Sequence, residues 1–107
     1  MDKVLNDIDT IVKENKVVVF MKGTKSEPRC GFSATVVDIL NMIGTDFKDV
    51  NVLDDESIRS GIKQYTNWPT IPQIFINGEF IGGCDIAKEM FQSGELQKLV
   101  LKQEEKA

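Results

Sequence analysis

An α/β domain, with a mixed sheet of about four strands and helices on both faces, is the fold class this sequence predicts. Three observations lead there. Val17 to Met21 is an unbroken run of β-branched and large apolar residues, as in a strand covered on both faces. Apolar residues at three- and four-residue spacing stand before and after that run, as helices require. Further on, Asn77-Gly78 separates two short apolar runs, a strong signal for a two-residue hairpin turn.

The elements follow in order. Val4, Leu5, Ile8, Ile11 and Val12 predict a helix over residues 3–14, and Val17 to Met21 predicts the first strand. A polar loop from Lys22 to Arg29 leads to Cys30, which opens a helix carrying Val36, Val37, Leu40 and Ile43. Gly44 offers its C-terminal stop. Phe47 to Val52 predicts a second strand, and strand, helix, strand in that order implies a right-handed parallel crossover. Asp54 is the expected cap of a third helix, with Ile58, Ile62 and Tyr65 on one face and Arg59 and Lys63 on a neighbouring one. Gln73 to Ile76 and Glu79 to Ile81 form the hairpin, closed by Gly82-Gly83. Asp85 to Phe91 and Leu96 to Leu101 predict two short helices, interrupted near Ser93-Gly94.

A chain of 107 residues is read as one domain, residues 1–107, with 102–107 as a solvated, flexible tail. Two cysteines do not make a disulfide framework, which points to a reducing compartment. Met1-Asp2-Lys3-Val4 has no leader character, so a cytoplasmic location is expected, with an organelle matrix left open if a transit peptide has been removed. No apolar run approaches the ~20 residues that span a bilayer, so no membrane partner is expected. A net charge of -4 without a basic stripe argues against nucleic acid. The chain has no histidine, which removes the commonest general base and metal ligand and with them most serine-protease and zinc-hydrolase chemistry.

Cys30-Gly31-Phe32-Ser33 carries the most chemistry. Serine stands where a second cysteine would make Cys-x-x-Cys, so Cys30 must find its partner in a small thiol, a metal, another chain or Cys84. N–H groups at a helix start favour a thiolate. The dipole contributes only ~0.3–1 kcal/mol against ~1.4 kcal/mol per pKa unit, so a cation should add more. Lys22 is the candidate. The alternative is an inert buried cysteine, which a position beside glycine after a polar loop disfavours.

Two further stretches complete the set. In Trp68-Pro69-Thr70-Ile71-Pro72, Pro72 at a strand start is a site for a cis peptide, leaving the Ile71 backbone open to an extended peptide. An ordinary loop with Trp68 in the core is the alternative. In Gly82-Gly83-Cys84-Asp85 the glycines allow close approach, helix-start N–H groups suit a carboxylate, and the Asp85 side chain suits an amine. Routine capping by Asp85 is the alternative, as are solvated roles for Lys22, Arg59 and Lys63. A ligand with a thiol, two carboxylates, an amine and peptide bonds would satisfy all of these groups. Glutathione has them.

With Met21-Lys22-Gly23, these motifs stand in the order found in monothiol glutaredoxins of the Cys-Gly-Phe-Ser class, single-domain type. The chain resembles that family from about Ile8 to Leu101, including the long loop before Cys30. The resemblance implies a thioredoxin-like fold and a glutathione groove. Lys22 and Arg59, helped by Lys63, would bind the glycine carboxylate. Ile71, before a cis Pro72, would pair with the cysteinyl backbone. Gly83, Cys84 and Asp85 would hold the γ-glutamyl end, and Phe32 would line the groove. It further implies a 2Fe-2S cluster bound between two chains and passed to iron-sulfur acceptor proteins, a BolA-like partner, and weak general reductase activity.

The residue count is consistent with that. A 2Fe-2S cluster takes four ligands, commonly thiolates, and one chain has two cysteines. A homodimer giving two Cys30 thiolates, with two glutathione thiols, supplies four. Two Cys30 and two Cys84 would also total four. Three functions remain in view: a cluster carrier in iron-sulfur assembly and iron homeostasis, a glutathione-dependent thiol-disulfide oxidoreductase acting through Cys30, and an iron-sensing adaptor using Phe32, Trp68 and the 24–29 loop as its partner surface.

Overall fold

The structure, a computed structural model, describes residues 2–106, and side-chain surroundings through Leu101. In chain order the elements are α1 (Lys3–Glu14), β1 (Val17–Met21), α2 (Gly31–Ile43), β2 (Lys48–Asn51), α3 (Glu56–Thr66), β3 (Gln73–Ile76), β4 (Glu79–Gly82), α4 (Cys84–Ser93) and α5 (Glu95–Lys106). The four strands form one mixed sheet in the order β2-β1-β3-β4. β1 pairs with β2 in parallel and with β3 antiparallel, and β3 turns back onto β4.

Side chains alternate across the sheet, and that alternation explains the unbroken apolar run in β1. Val17, Val19 and Met21 face a cluster with α2, α4 and α5, joined there by Ile74, Ile76, Leu40 and Leu96. Val18 and Phe20 face the opposite cluster with α1 and α3, where Phe75, Ile8 and Ile62 meet them. Both faces of β1 are covered, so no position in it has a reason to be polar. Each such side chain, once buried, contributes ~1.5–3 kcal/mol.

The ends of the elements have local causes. Gly44 adopts the left-handed conformation (φ 84°) and its N–H reaches the Leu40 and Asn41 carbonyls, stopping α2 where expected. Asn77 and Gly78 both have positive φ (55° and 80°), as a tight hairpin turn between right-twisted strands requires. Three expectations change. α3 is capped by Asp55 rather than Asp54, because the Asp55 carboxylate accepts the Ser57 N–H at 2.9 Å and its hydroxyl at 2.6 Å. β2 is shorter than Phe47–Val52, and the Val52 N–H makes one last bond to the Met21 carbonyl. α5 runs to Lys106 rather than ending at Leu101; the side chains of residues 102–106 lie outside the described residues, and with them the expected solvated tail. No described helix is long and apolar enough to cross a membrane.

Candidate active site

The loop between β1 and α2 is a docked hairpin. Gly23 has φ +90°, and a Cβ there would lie 2.5 Å from the Glu27 carbonyl oxygen and 2.7 Å from the Arg29 nitrogen. Only glycine lets the loop fold back so closely. The Arg29 N–H then donates to the Lys22 carbonyl at 2.9 Å, and Thr24 and Glu27 exchange backbone bonds. Side chains at β2 pin the hairpin down. Asn51 Oδ1 accepts the Gly23 N–H at 2.9 Å and the Leu53 N–H at 3.0 Å, while the Asp49 carboxylate accepts the Lys25 N–H at 2.8 Å. The Lys25 ammonium reaches the Phe47 carbonyl, also at 2.8 Å.

That hairpin delivers Cys30 to the N-cap of α2 in an extended conformation, without a side-chain cap bond. The Cys30 thiol is pulled below its ordinary pKa, chiefly by the Ser33 backbone N–H and against the cost of burial. The Phe32 N–H, the Lys22 charge and the Ser33 hydroxyl add to the effect, in that order. The contribution expected from Lys22 is present, and it ranks behind both N–H groups. Directed N–H bonds to the anion act at hydrogen-bond range, where a macrodipole estimate understates them. Ser33 is fully buried, and its Oγ accepts the Lys22 N–H at 3.1 Å.

Two stretches from the other end of the chain face Cys30. The Ile71-Pro72 bond is cis, as expected. The β3 ladder begins at Gln73, so Ile71 lies outside it, and among the described residues its backbone has no hydrogen-bond partner. Gly83 lets the β4–α4 junction close against this loop. A Cβ there would sit 3.2 Å from the Pro72 carbonyl oxygen and 3.5 Å from the Trp68 indole nitrogen. α4 begins at Cys84 with Gly83 as its N-cap, so Asp85 is not the routine cap that was its alternative role. Cys84 is buried, and that burial pushes its thiol above the usual range.

These pieces surround one cavity of about 490 Å³. It is lined by Lys22 after β1, Cys30 and Phe32 at the start of α2, Arg59 and Lys63 of α3, Ile71 and Pro72 before β3, and Gly83, Cys84 and Asp85 at the start of α4. The residues expected from the sequence to react or to bind a ligand are brought to this one cavity, while the motif residues Gly31, Ser33 and Gly82 do not line it. Lys22, Arg59, Lys63 and Asp85 have no ion-pair partner among the described residues. The cavity thus combines three cations, one carboxylate, open helix-start N–H groups and a thiolate-favouring cysteine. Trp68, Pro69, Thr70 and Ile86 also line it. Trp68 was expected in the sequence only as part of a partner surface, Pro69 and Thr70 as part of a motif without a binding role, and Ile86 had no signal beyond following Asp85. Among the described residues there is no group of three or more His, Cys, Asp or Glu that could hold a metal ion.

Comparisons with known proteins agree with this fold. The glutaredoxin family profile matches residues 17–81. A probable monothiol glutaredoxin 2 of Rickettsia typhi is 57% identical over 99 residues, covering 92% of this chain and 89% of its own. The solution structure of reduced apo GrxS14 from poplar is 54% identical, with a TM-score of 0.80, covering 91% of this chain and 89% of that one. The crystal structure of a buckwheat glutaredoxin-glutathione complex is 26% identical, with a TM-score of 0.83, covering 92% and 88%.

Proposed function

The chain belongs to the glutaredoxin family, among its monothiol members, and from that premise we propose that it binds glutathione in the cavity and carries a 2Fe-2S cluster between two copies of itself for delivery to iron-sulfur acceptor proteins. The observation that carries this reading is the contrast between its two cysteines. Cys30 and Cys84 both line the cavity, but the Cys30 thiol is pulled below its ordinary pKa while burial pushes the Cys84 thiol above its own. One chain therefore offers one good thiolate, and a four-thiolate set needs two chains and two small thiols. Lys22 and Arg59, with Lys63 beside them, suit the glycine carboxylate of glutathione. The Ile71 backbone suits its cysteinyl residue, and the Gly83–Asp85 helix start suits its γ-glutamyl end. Phe32, 64% exposed beside Cys30, offers apolar cover for the bound group.

Half the ligands of such a cluster are exchangeable molecules, which suits release to an acceptor. A BolA-like partner and a part in iron homeostasis belong to the same reading, as does a reducing compartment for two free thiols. The test is anaerobic reconstitution with iron, sulfide and glutathione, followed by absorption spectrum and native mass. A glutathione-dependent dimer with two irons and two sulfides is expected. Cys30→Ser should abolish the cluster and Cys84→Ser should largely keep it. Equal loss in both variants would replace the ligand set with an all-protein one.

The lowered Cys30 pKa also favours a second reading, a thiol-disulfide oxidoreductase. The Cys30 thiolate would attack the glutathione sulfur of a glutathionylated protein and release the protein thiol. A second glutathione thiolate would then free Cys30, leaving glutathione disulfide. Mixed-disulfide turnover matching a dithiol glutaredoxin, with a colourless monomer after reconstitution, would move the assignment there.

A further inference from the structure

Gln73 is a polar side chain with no exposed surface, and the proposed function leaves it without a role. It is the first residue of β3, paired with Phe20 of β1, and its amide reaches back under the loop that edges the cavity. Its Nε2 donates to the Trp68 carbonyl at 3.0 Å and to the Thr70 carbonyl at 3.1 Å. Its Oε1 accepts the Thr66 hydroxyl at 2.8 Å, the shorter of that hydroxyl's contacts, with the Ile62 carbonyl at 3.0 Å. The amide orientation is determined by its partners. Turned over, its oxygen would face two carbonyl oxygens. The Trp68 N–H completes the network by donating to Thr66 Oγ1 at 3.2 Å.

We propose that Gln73 is a positioning residue for glutathione binding: it draws the Trp68 and Thr70 carbonyls inward and thereby presents the Ile71 backbone and the Trp68 ring to the cavity. The proposal rests on reading that cavity as the glutathione groove. The physical argument is one of saturation. Gln73 uses both amide hydrogens on loop carbonyls and its oxygen on the end of α3, so one side chain joins the sheet, the helix and the loop. No shorter or ionised side chain does this. Asparagine lacks the reach, and an ionised glutamate would set an acceptor against two acceptors. The Thr70 carbonyl turns inward to Gln73, and across the trans Thr70–Ile71 peptide the Ile71 N–H points the opposite way, out from the Gln73 network.

Trp68 is the only tryptophan in the chain, so its fluorescence reports the loop directly. The experiment compares the parent protein with Gln73→Met, which keeps the volume and removes the bonds, and with Gln73→Glu. It measures Trp68 emission, glutathione affinity by calorimetry, and the pH profile of Cys30 alkylation. Shifted emission is expected in both variants, with glutathione binding weakened about tenfold, the scale of losing hydrogen bonds to buried groups. The alkylation profile should not change, because the donors to Cys30 lie on α2. Thr66→Val, which leaves both carbonyl bonds in place, should weaken binding less.

Native emission and native affinity in Gln73→Met would overturn the proposal. A Cys30 profile shifted together with the affinity would also overturn it, since the residue would then support the fold at large. If the parent protein binds no glutathione, the groove reading fails. The loop-holding role then stands on a Trp68 shift or falls with unchanged emission.

Discussion

Ser33 Oγ accepts the backbone N–H of Lys22 at 3.1 Å, from a side chain with no exposed surface. The position that would hold the second cysteine of a dithiol motif instead ties the end of β1 to the first turn of α2. Its hydroxyl also favours the Cys30 thiolate, behind the stronger effect of its own N–H. Ser33→Ala should therefore cost about 1 kcal/mol through the unpaired Lys22 N–H. Thermal melting should fall by about 4–8 °C, the range for a domain of this size. The Cys30 alkylation profile should move only slightly upward, because the larger backbone contribution survives.

Lys22→Ala should raise the Cys30 pKa less than the position of Lys22 beside the loop suggests. Its charge ranks behind the Ser33 and Phe32 N–H groups. Glutathione affinity should fall more clearly, as a carboxylate partner is lost. Iodoacetamide kinetics against pH, with calorimetric titration of glutathione, separate the two effects. A large upward shift in the alkylation profile would show that the cation, not the backbone, controls the thiolate.

Tyr65 and Asp9 give the fold an alkaline limit. The Tyr65 hydroxyl donates to the Asp9 carboxylate at 2.6 Å across 56 residues of sequence, joining α3 to α1. Burial, then that bond, pushes the Tyr65 pKa up to about 12 from its ordinary value of 10.0. The proton is held more tightly in the folded chain, so the stabilisation is complete below pH 10 and is lost as pH rises toward 12. Tyr65→Phe should lower stability at neutral pH by about 1 kcal/mol, a value reduced for partial solvent contact. It should also flatten the loss between pH 10 and 12, as read by denaturant melts across that window.

Gly23→Ala tests the docked hairpin. The left-handed backbone costs a non-glycine residue about 1–2 kcal/mol, and the new Cβ would lie 2.5 Å from the Glu27 carbonyl oxygen. The loop should open from β2 and misplace Cys30. Lower melting, slower alkylation at neutral pH and loss of the reconstituted cluster should appear together. By contrast, Gly31→Ala meets nothing within 4 Å and should leave the hairpin intact.

The sequence alone determined the strands, helices and turns of the fold, because those depend on short-range rules. Period-two alternation under cover on both faces makes Val17–Met21 apolar throughout, and Asn77-Gly78 supplies the positive φ values of the hairpin. The motifs also named the cavity-lining residues other than Ile86 and the α3 pair Arg59 and Lys63, since each carries chemistry in its own side chain or local backbone. Tertiary structure decided which groups satisfy one another. Asp54 and Asp55 are equally able to cap α3 on paper, and only the Ser57 contacts choose between them. The Ser33 N–H outranks the Lys22 charge because a hydrogen bond depends on direction and distance, which charge counting does not contain. Gln73 reads as an ordinary strand residue until the fold buries it beneath three partners. Periodicity records which side of an element faces the core, but a buried polar atom's partner is set by where distant segments meet, and that meeting is written in three dimensions alone.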